Sequence, residues 1–285
     1  MFRQLLISSR PLSWINTAFP FAAAYFIVAR QVDLTMLIGT VFFLIPYNLL
    51  MYGINDVFDY ESDLRNPRKG GVEGGLLRPE LHRATTITAV ISCIPFLAYL
   101  LISGNQWSQF WLLITVFTVL AYSVPGLRFK EKPVVDSITS SSHFVGPMLV
   151  GLTQAGAQFS IDIVLIAMAF FLWGSASHAF GAVQDIAADR AAKIGSIATR
   201  FGAAWTSRLA FALYLVATSL LVPLPWPASL AALAVVPYLF VVARYLSLSD
   251  GDCEIANRGW RYFLILNFFA GTVVSLLLAW FLRFG

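Results

Sequence analysis

Charge is scarce in this chain. Asp, Glu, Lys and Arg together make up 12% of 285 residues, about half their share in an ordinary soluble domain. That shortage excludes a fully solvated globular surface. Cysteine is scarcer still. Cys93 and Cys253 are the only two, so a disulfide framework and a thiolate metal site are both excluded. The glycine-rich run at residues 70–75 is followed by no Gly-Lys-Ser/Thr, which excludes a nucleotide P-loop and leaves a mobile flap or a flexible connector.

Apolar sequence is abundant instead, at 58% of the chain. Runs of about 18 apolar residues read as membrane-crossing helices. Nine are expected, roughly over 12–29, 34–54, 84–103, 107–124, 134–152, 161–182, 207–223, 226–246 and 260–282. The opening stretch to Arg30 has the charge pattern of a secretory signal, but the chain continues in the same style, so a retained first helix is expected. The fifth span begins Asp136-Ser137-Ile138-Thr139-Ser140-Ser141-Ser142-His143. It is too polar for lipid and must face protein or a water-filled cavity. The reading is an all-α integral membrane protein forming a single transmembrane domain, 1–285.

Charge distribution sets the orientation. With a cytoplasmic N-terminus, every Lys and Arg except Arg30 and Arg283 falls on the inner side, as does every Asp and Glu except Asp33 and Asp162. The result is a multi-pass cell-membrane protein with its active loops in the cytoplasm. Membrane lipids are its surroundings, and no nucleic-acid partner is expected.

Two acidic clusters stand at that inner edge. Asp56, Asp59 and Asp63 come after the second span at i, i+3 and i+7. On an unbroken helix they lie within roughly 60° of one another. Asp185 and Asp189 come after the sixth span at i, i+4, with Lys193 a further four residues on. Each has an ordinary alternative: a solvated acidic helix end for the first, and an Asp189–Lys193 surface pair for the second. Taken together they can oppose each other across a cavity. Five carboxylates there call for divalent ions, and Mg²⁺ fits because it takes hard oxygens and shares them with substrate phosphates. A diphosphate would complete the shells. The four-span separation also suggests a duplicated four-helix unit plus one helix, with halves at 1–133 and 134–285.

Arg68, Lys69, Arg128, Lys130, Lys132 and Lys193 are the candidate diphosphate contacts. Topology alone would also put basic residues there. Asn55 is placed to orient the first cluster. Asn48 and Tyr52 lie on the same expected helical face, and Tyr122 closes the fourth span. His178 stands seven residues before Asp185, placed to act as a base that accepts a proton. An isoprenyl diphosphate suits such a membrane edge, with a polar head and a hydrocarbon tail. Metal ions at its head would favour ionisation of the allylic C–O bond.

These residues resemble the UbiA superfamily of intramembrane prenyltransferases. Asn55-Asp56-x-x-Asp59-x-x-x-Asp63 is similar to its first signature, and Asp185-x-x-x-Asp189 to its second. Tyr122-Ser123 with Pro125, Arg128 and Lys130 is similar to its loop after the fourth span. The resemblance implies helices bundled around a central cavity, two motifs binding Mg²⁺ and diphosphate, and lateral entry of lipidic substrates. The run Asn66-Pro67-Arg68-Lys69-Gly70-Gly71 departs from the Asn-Arg-Pro segment of many quinone-pathway members. That run, with 136–147 and 177–185, resembles the lycopene elongase branch, which implies dimethylallyl diphosphate as donor and lycopene as acceptor. An aromatic quinone precursor is the alternative acceptor. A cation- or proton-coupled transporter is the alternative class, although transporter acids belong near the midplane and these lie at one edge.

Overall fold

A computed structural model describes residues 2–64 and 76–284. Every regular element among the described residues is a helix, as a backbone in lipid requires, since each N–H and C=O must find its partner within its own segment. Among the described residues, seven stretches are long and apolar enough to cross a membrane: Pro11–Ala29, Leu34–Phe58, Pro79–Ser103, Ile161–Val183, Ala203–Leu221, Ala228–Tyr245 and Asp250–Phe284. They coincide with seven of the nine expected spans. The other two expected spans also form helices, Gln106–Ser123 and Val135–Gln154, 18 and 20 residues long. Both are more polar, the first opening with Gln106 and Gln109 and the second carrying the Asp136–His143 run.

The chain forms two compact units. The first takes residues up to Phe129 together with Ser142–Gln158. Its elements are α1 (Phe2–Ser8), α2 (Ile15–Ala29), α3 (Leu34–Leu44), α4 (Ile54–Phe58), α5 (Tyr60–Asp63), α6 (His82–Ser103), α7 (Gln106–Ser123) and the end of α8 (Val135–Gln154). Asp33 starts α3 by accepting the Met36 N–H at 2.9 Å, and Asn105 starts α7 by accepting those of Trp107 and Ser108. Such side-chain acceptors satisfy the orphan donors of a helix start. Lipid tails are as apolar as the side chains, so packing must supply the cohesion. Phe21, Phe42, Phe43 and Tyr47, all fully buried, form an aromatic core with ring centroids 4.8–5.9 Å apart along its contacts. Gly151 lets α8 approach α2, since a methyl there would lie 2.5 Å from the Phe21 carbonyl oxygen.

The second unit takes Lys130–Ser141 and the chain from Phe159 onward. It contains α9 (Ile161–Val183), α10 (Ile186–Ala191), α11 (Ile197–Phe201), α12 (Ala203–Leu221), α13 (Ala232–Val242) and α14 (Ala256–Phe284). Its most extensive packing is α9 against α12, where Ala176 and Ala210 are fully buried. Small residues let two helix backbones come close. Ser177 Oγ and Tyr214 OH, 2.7 Å apart, join the same two helices. Phe180, Tyr214, Tyr238 and Phe263 form its aromatic core. The sequence-based halves at 1–133 and 134–285 assign all of α8 to the second half; by packing, its C-terminal part belongs to the first unit.

Candidate active site

In the first unit the acidic segment does not continue an unbroken helix. Pro46 has no N–H to donate, and the chain passes through Pro46–Asn48 into a π-turn at Leu49–Gly53 before α4 begins. A π-turn carries one extra residue, which rotates the helix beyond it by about 100° relative to the helix before it. Asn48, which precedes the π-turn, therefore does not share the face of Asn55 in the way a regular helix would give. The Asn48 amide instead donates inward, with Thr17 Oγ1 at 2.7 Å, Phe43 O at 2.8 Å and Leu44 O at 3.1 Å.

Beyond the π-turn, the Asp59 backbone (φ −101°, ψ 0°) separates α4 from α5. The i→i−4 bonds persist across it, Asp59 N–H to Asn55 O at 2.9 Å and Asp63 N–H to Asp59 O at 2.8 Å. The three acids thus remain on successive turns. Asp56 and Asp63 are buried. Arg10 Nη2 donates to Asp56 Oδ1 at 2.9 Å, and the same guanidinium lies 4.6 Å over the Tyr52 ring. Arg10 sits in the left-handed region (φ 52°) at the bend between α1 and the turn Pro11–Ser13. Arg128 Nη2 stands 3.7 Å from Asp59 Oδ1. Arg128 reaches this position through the tight turn after α7, where its N–H bonds to Val124 O. Ser123 Oγ donates to Asn55 Oδ1 at 2.9 Å, which fixes the amide that opens the motif. Tyr122 packs edge-on against His143 at 5.2 Å.

In the second unit α9 ends at Val183, and Asp185 occupies the junction before α10. Asp185 and Asp189 are partly buried and one turn apart, with the Asp189 N–H on Asp185 O at 2.8 Å. Lys193 lies past the end of α10 in the left-handed region (φ 58°). It therefore leaves the helical face on which spacing alone would group it with the two acids. Lys130 belongs to a 3₁₀ turn, Phe129–Glu131. His178, on α9, has its Nδ1 3.1 Å from Ser137 Oγ. Arg68 and Lys69 lie outside the described residues.

One residue in these surroundings, Arg10, escapes a reading by spacing. Arg10 is 46 positions from Asp56 and sits where basic residues collect for topological reasons. Asp136, fully buried, accepts the Ser137 N–H on Oδ1 and the Ile197 N–H on Oδ2, each at 2.7 Å.

Among the described residues, no three His, Cys, Asp or Glu side chains converge as a ready-made metal cage. The donors at hand are hard carboxylate oxygens on successive turns. Two of these carboxylates, Asp56 and Asp59, already lie beside guanidinium groups. That donor chemistry fits an ion that draws on few protein carboxylates and takes its remaining oxygens from a substrate phosphate and water.

Known proteins resemble this chain over nearly its full length. The C(50) beta-cyclic carotenoids biosynthesis protein LbtBC of Dietzia sp. (strain CQ4) is 53% identical over 277 residues, 97% of this chain; the chain spans 64% of that protein's length. The lycopene elongase/hydratase of Corynebacterium glutamicum is 51% identical over 276 residues, 97% of this chain and 96% of its own. Among solved structures, a UbiA homolog from Archaeoglobus fulgidus bound to DMAPP and Mg²⁺ matches with a TM-score of 0.67 at 20% identity, over 95% of this chain and 99% of that one. At that identity the likeness speaks for the fold. The model of the UbiA prenyltransferase family matches residues 17–268, and the chain belongs to that family of integral-membrane prenyltransferases.

Proposed function

We propose that this chain is a lycopene elongase, transferring the dimethylallyl group of dimethylallyl diphosphate to lycopene with Mg²⁺ as cofactor. The observation that carries this reading is the 51% identity to the Corynebacterium lycopene elongase/hydratase over 96% of that protein. In the reaction the allylic C–O bond breaks and its electron pair leaves with the diphosphate. A π pair of the polyene forms the new C–C bond, and the resulting cation is quenched by proton loss or by water. Mg²⁺, when bound, supplies positive charge opposite the departing diphosphate.

Asp56, Asp59, Asp63, Asp185 and Asp189 are the residues assigned to hold it. Asn55, oriented by Ser123, keeps the first acidic segment in register. Arg128, Lys130 and Lys193 are assigned to the diphosphate oxygens, together with Arg68 and Lys69. Tyr52 and Tyr122 are assigned to substrate binding, and His178 accepts the terminal proton. A polyene acceptor needs no carboxylate- or phenol-binding group, so aromatic walls and exclusion of water suffice for it. The same reading keeps nine crossings, with a cytoplasmic N-terminus and acidic loops; the two further helices of 18 and 20 residues and the one-sided Lys and Arg support it.

The test is a transfer assay with purified protein, labelled dimethylallyl diphosphate, Mg²⁺ and a panel of lycopene and aromatic acceptors. Label is expected in lycopene, with loss of turnover when Mg²⁺ is chelated. Label moving only to an aromatic acid or phenol would replace lycopene with a quinone precursor.

A further inference from the structure

His178, the assigned base, sits at one end of a short polar chain within the second unit. Ser137 Oγ has two neighbours, His178 Nδ1 at 3.1 Å and Asp136 Oδ1 at 3.4 Å. Asp136 is fully buried, and Ser137 is 4% exposed. A hydroxyl carries a single hydrogen, and an ionised carboxylate can only accept. Pointing the hydroxyl hydrogen at His178 would turn an oxygen lone pair toward a buried anionic oxygen, an arrangement penalised at low dielectric. Pointing it at Asp136 leaves the Ser137 lone pair to receive a proton-bearing Nδ1. The backbone fixes the carboxylate itself, through the N–H groups of Ser137 and Ile197 at 2.7 Å each.

We infer that Asp136 and Ser137 are positioning residues that lock His178 in its Nδ1–H tautomer, so that Nε2 is the nitrogen that takes a proton from the prenylated cation. Which ring nitrogen is basic is set by the bond the other one makes. The proton passes from the carbon beside the cationic centre to Nε2, the C–H pair becomes the new double bond, and the imidazolium is left beside the Asp136 carboxylate. Ile197 opens α11, in the segment after Asp185 and Asp189, so Asp136 also ties the base to the second acidic loop. This inference rests on the assignment of His178 as base, but the tautomer can be measured without any turnover.

The chain has three histidines, which makes nitrogen NMR of ¹⁵N-histidine-labelled protein in detergent assignable by single substitution of each. In the intact protein His178 is expected as Nδ1–H with an unprotonated Nε2. Ser137→Ala is expected to shift it to a mixture or to Nε2–H, and Ser137→Thr, which restores the hydroxyl, to return it. An Nε2–H His178 in the intact protein would overturn the inference even if no variant folds, as would a Ser137→Ala protein with an unchanged tautomer. In the transfer assay, Ser137→Ala is expected to raise the share of hydrated over deprotonated product several-fold while the donor KM stays level. A failure of lycopene to accept label would count against the proposed function and leave the NMR result standing on its own.

Discussion

Asp56, Asp59 and Asp63 stand out because three carboxylates on neighbouring turns repel unless something positive is supplied, and that penalty depends on local spacing alone. Arg10 supplies part of it in this structure, but its contact with Asp56 spans 46 positions, and no local pattern encodes so distant a pairing. The Arg10–Asp56 pair yields a prediction that separates a structural acid from a metal ligand. The Asp56 side chain is fully buried and that of Arg10 is 18% exposed. Removing one partner of such a pair costs about 3 kcal/mol, because a buried carboxylate loses its guanidinium. Arg10→Ala should therefore lower the thermal midpoint of the detergent-solubilised protein. If Asp56 also holds Mg²⁺, added Mg²⁺ with inorganic diphosphate should recover much of the loss. Equal losses with and without them would remove Asp56 from the metal set.

At the scale of elements, hydropathy located the helices but not their irregularities. Period and composition average over a span, whereas a π-turn is a local exception with no apolar signature. Residues 34–54 therefore read as one regular helix, although Pro46 and the turn at Leu49–Gly53 interrupt it. For the same reason Lys193 read as a continuation of the helix that ends at Ala191. Asn48 shows how the interruption is accommodated. Its amide reaches the carbonyls of Phe43 and Leu44, and Thr17 Oγ1 also donates to Phe43 O at 2.7 Å. Polar side chains of this kind re-satisfy the backbone groups that a helix break frees within a membrane. Asn48→Ala should thus cost about 1–2 kcal/mol of stability, read as a lower unfolding temperature in detergent, with the KM for the donor nearly unchanged. A raised donor KM at intact stability would show instead that Asn48 faces the substrate.

At the scale of the whole molecule, the membrane class was the easiest feature to read, because continuous apolar runs of about 18 residues satisfy their backbone in lipid as helices. For the two units, the sequence suggests halves at 1–133 and 134–285, whereas packing divides the chain after Phe129 and again inside α8, a helix whose polarity marks it as unusual without saying where its packing partners change. Orientation is a property of this scale as well. Positive residues near span ends are retained in the cytoplasm during insertion, and the proposed orientation leaves only Arg30 and Arg283 on the other side. Cys93 and Cys253 are both buried, so introduced thiols can report sidedness over a low background. Gln158 precedes α9 and Ser247 comes after α13, both exposed and neither a member of an acidic motif. In intact cells a membrane-impermeant maleimide should label Gln158→Cys, and Ser247→Cys should react only after permeabilisation. The reverse pattern would put the acidic loops outside the cytoplasm, away from any diphosphate made there, and would require a donor delivered to the outer face.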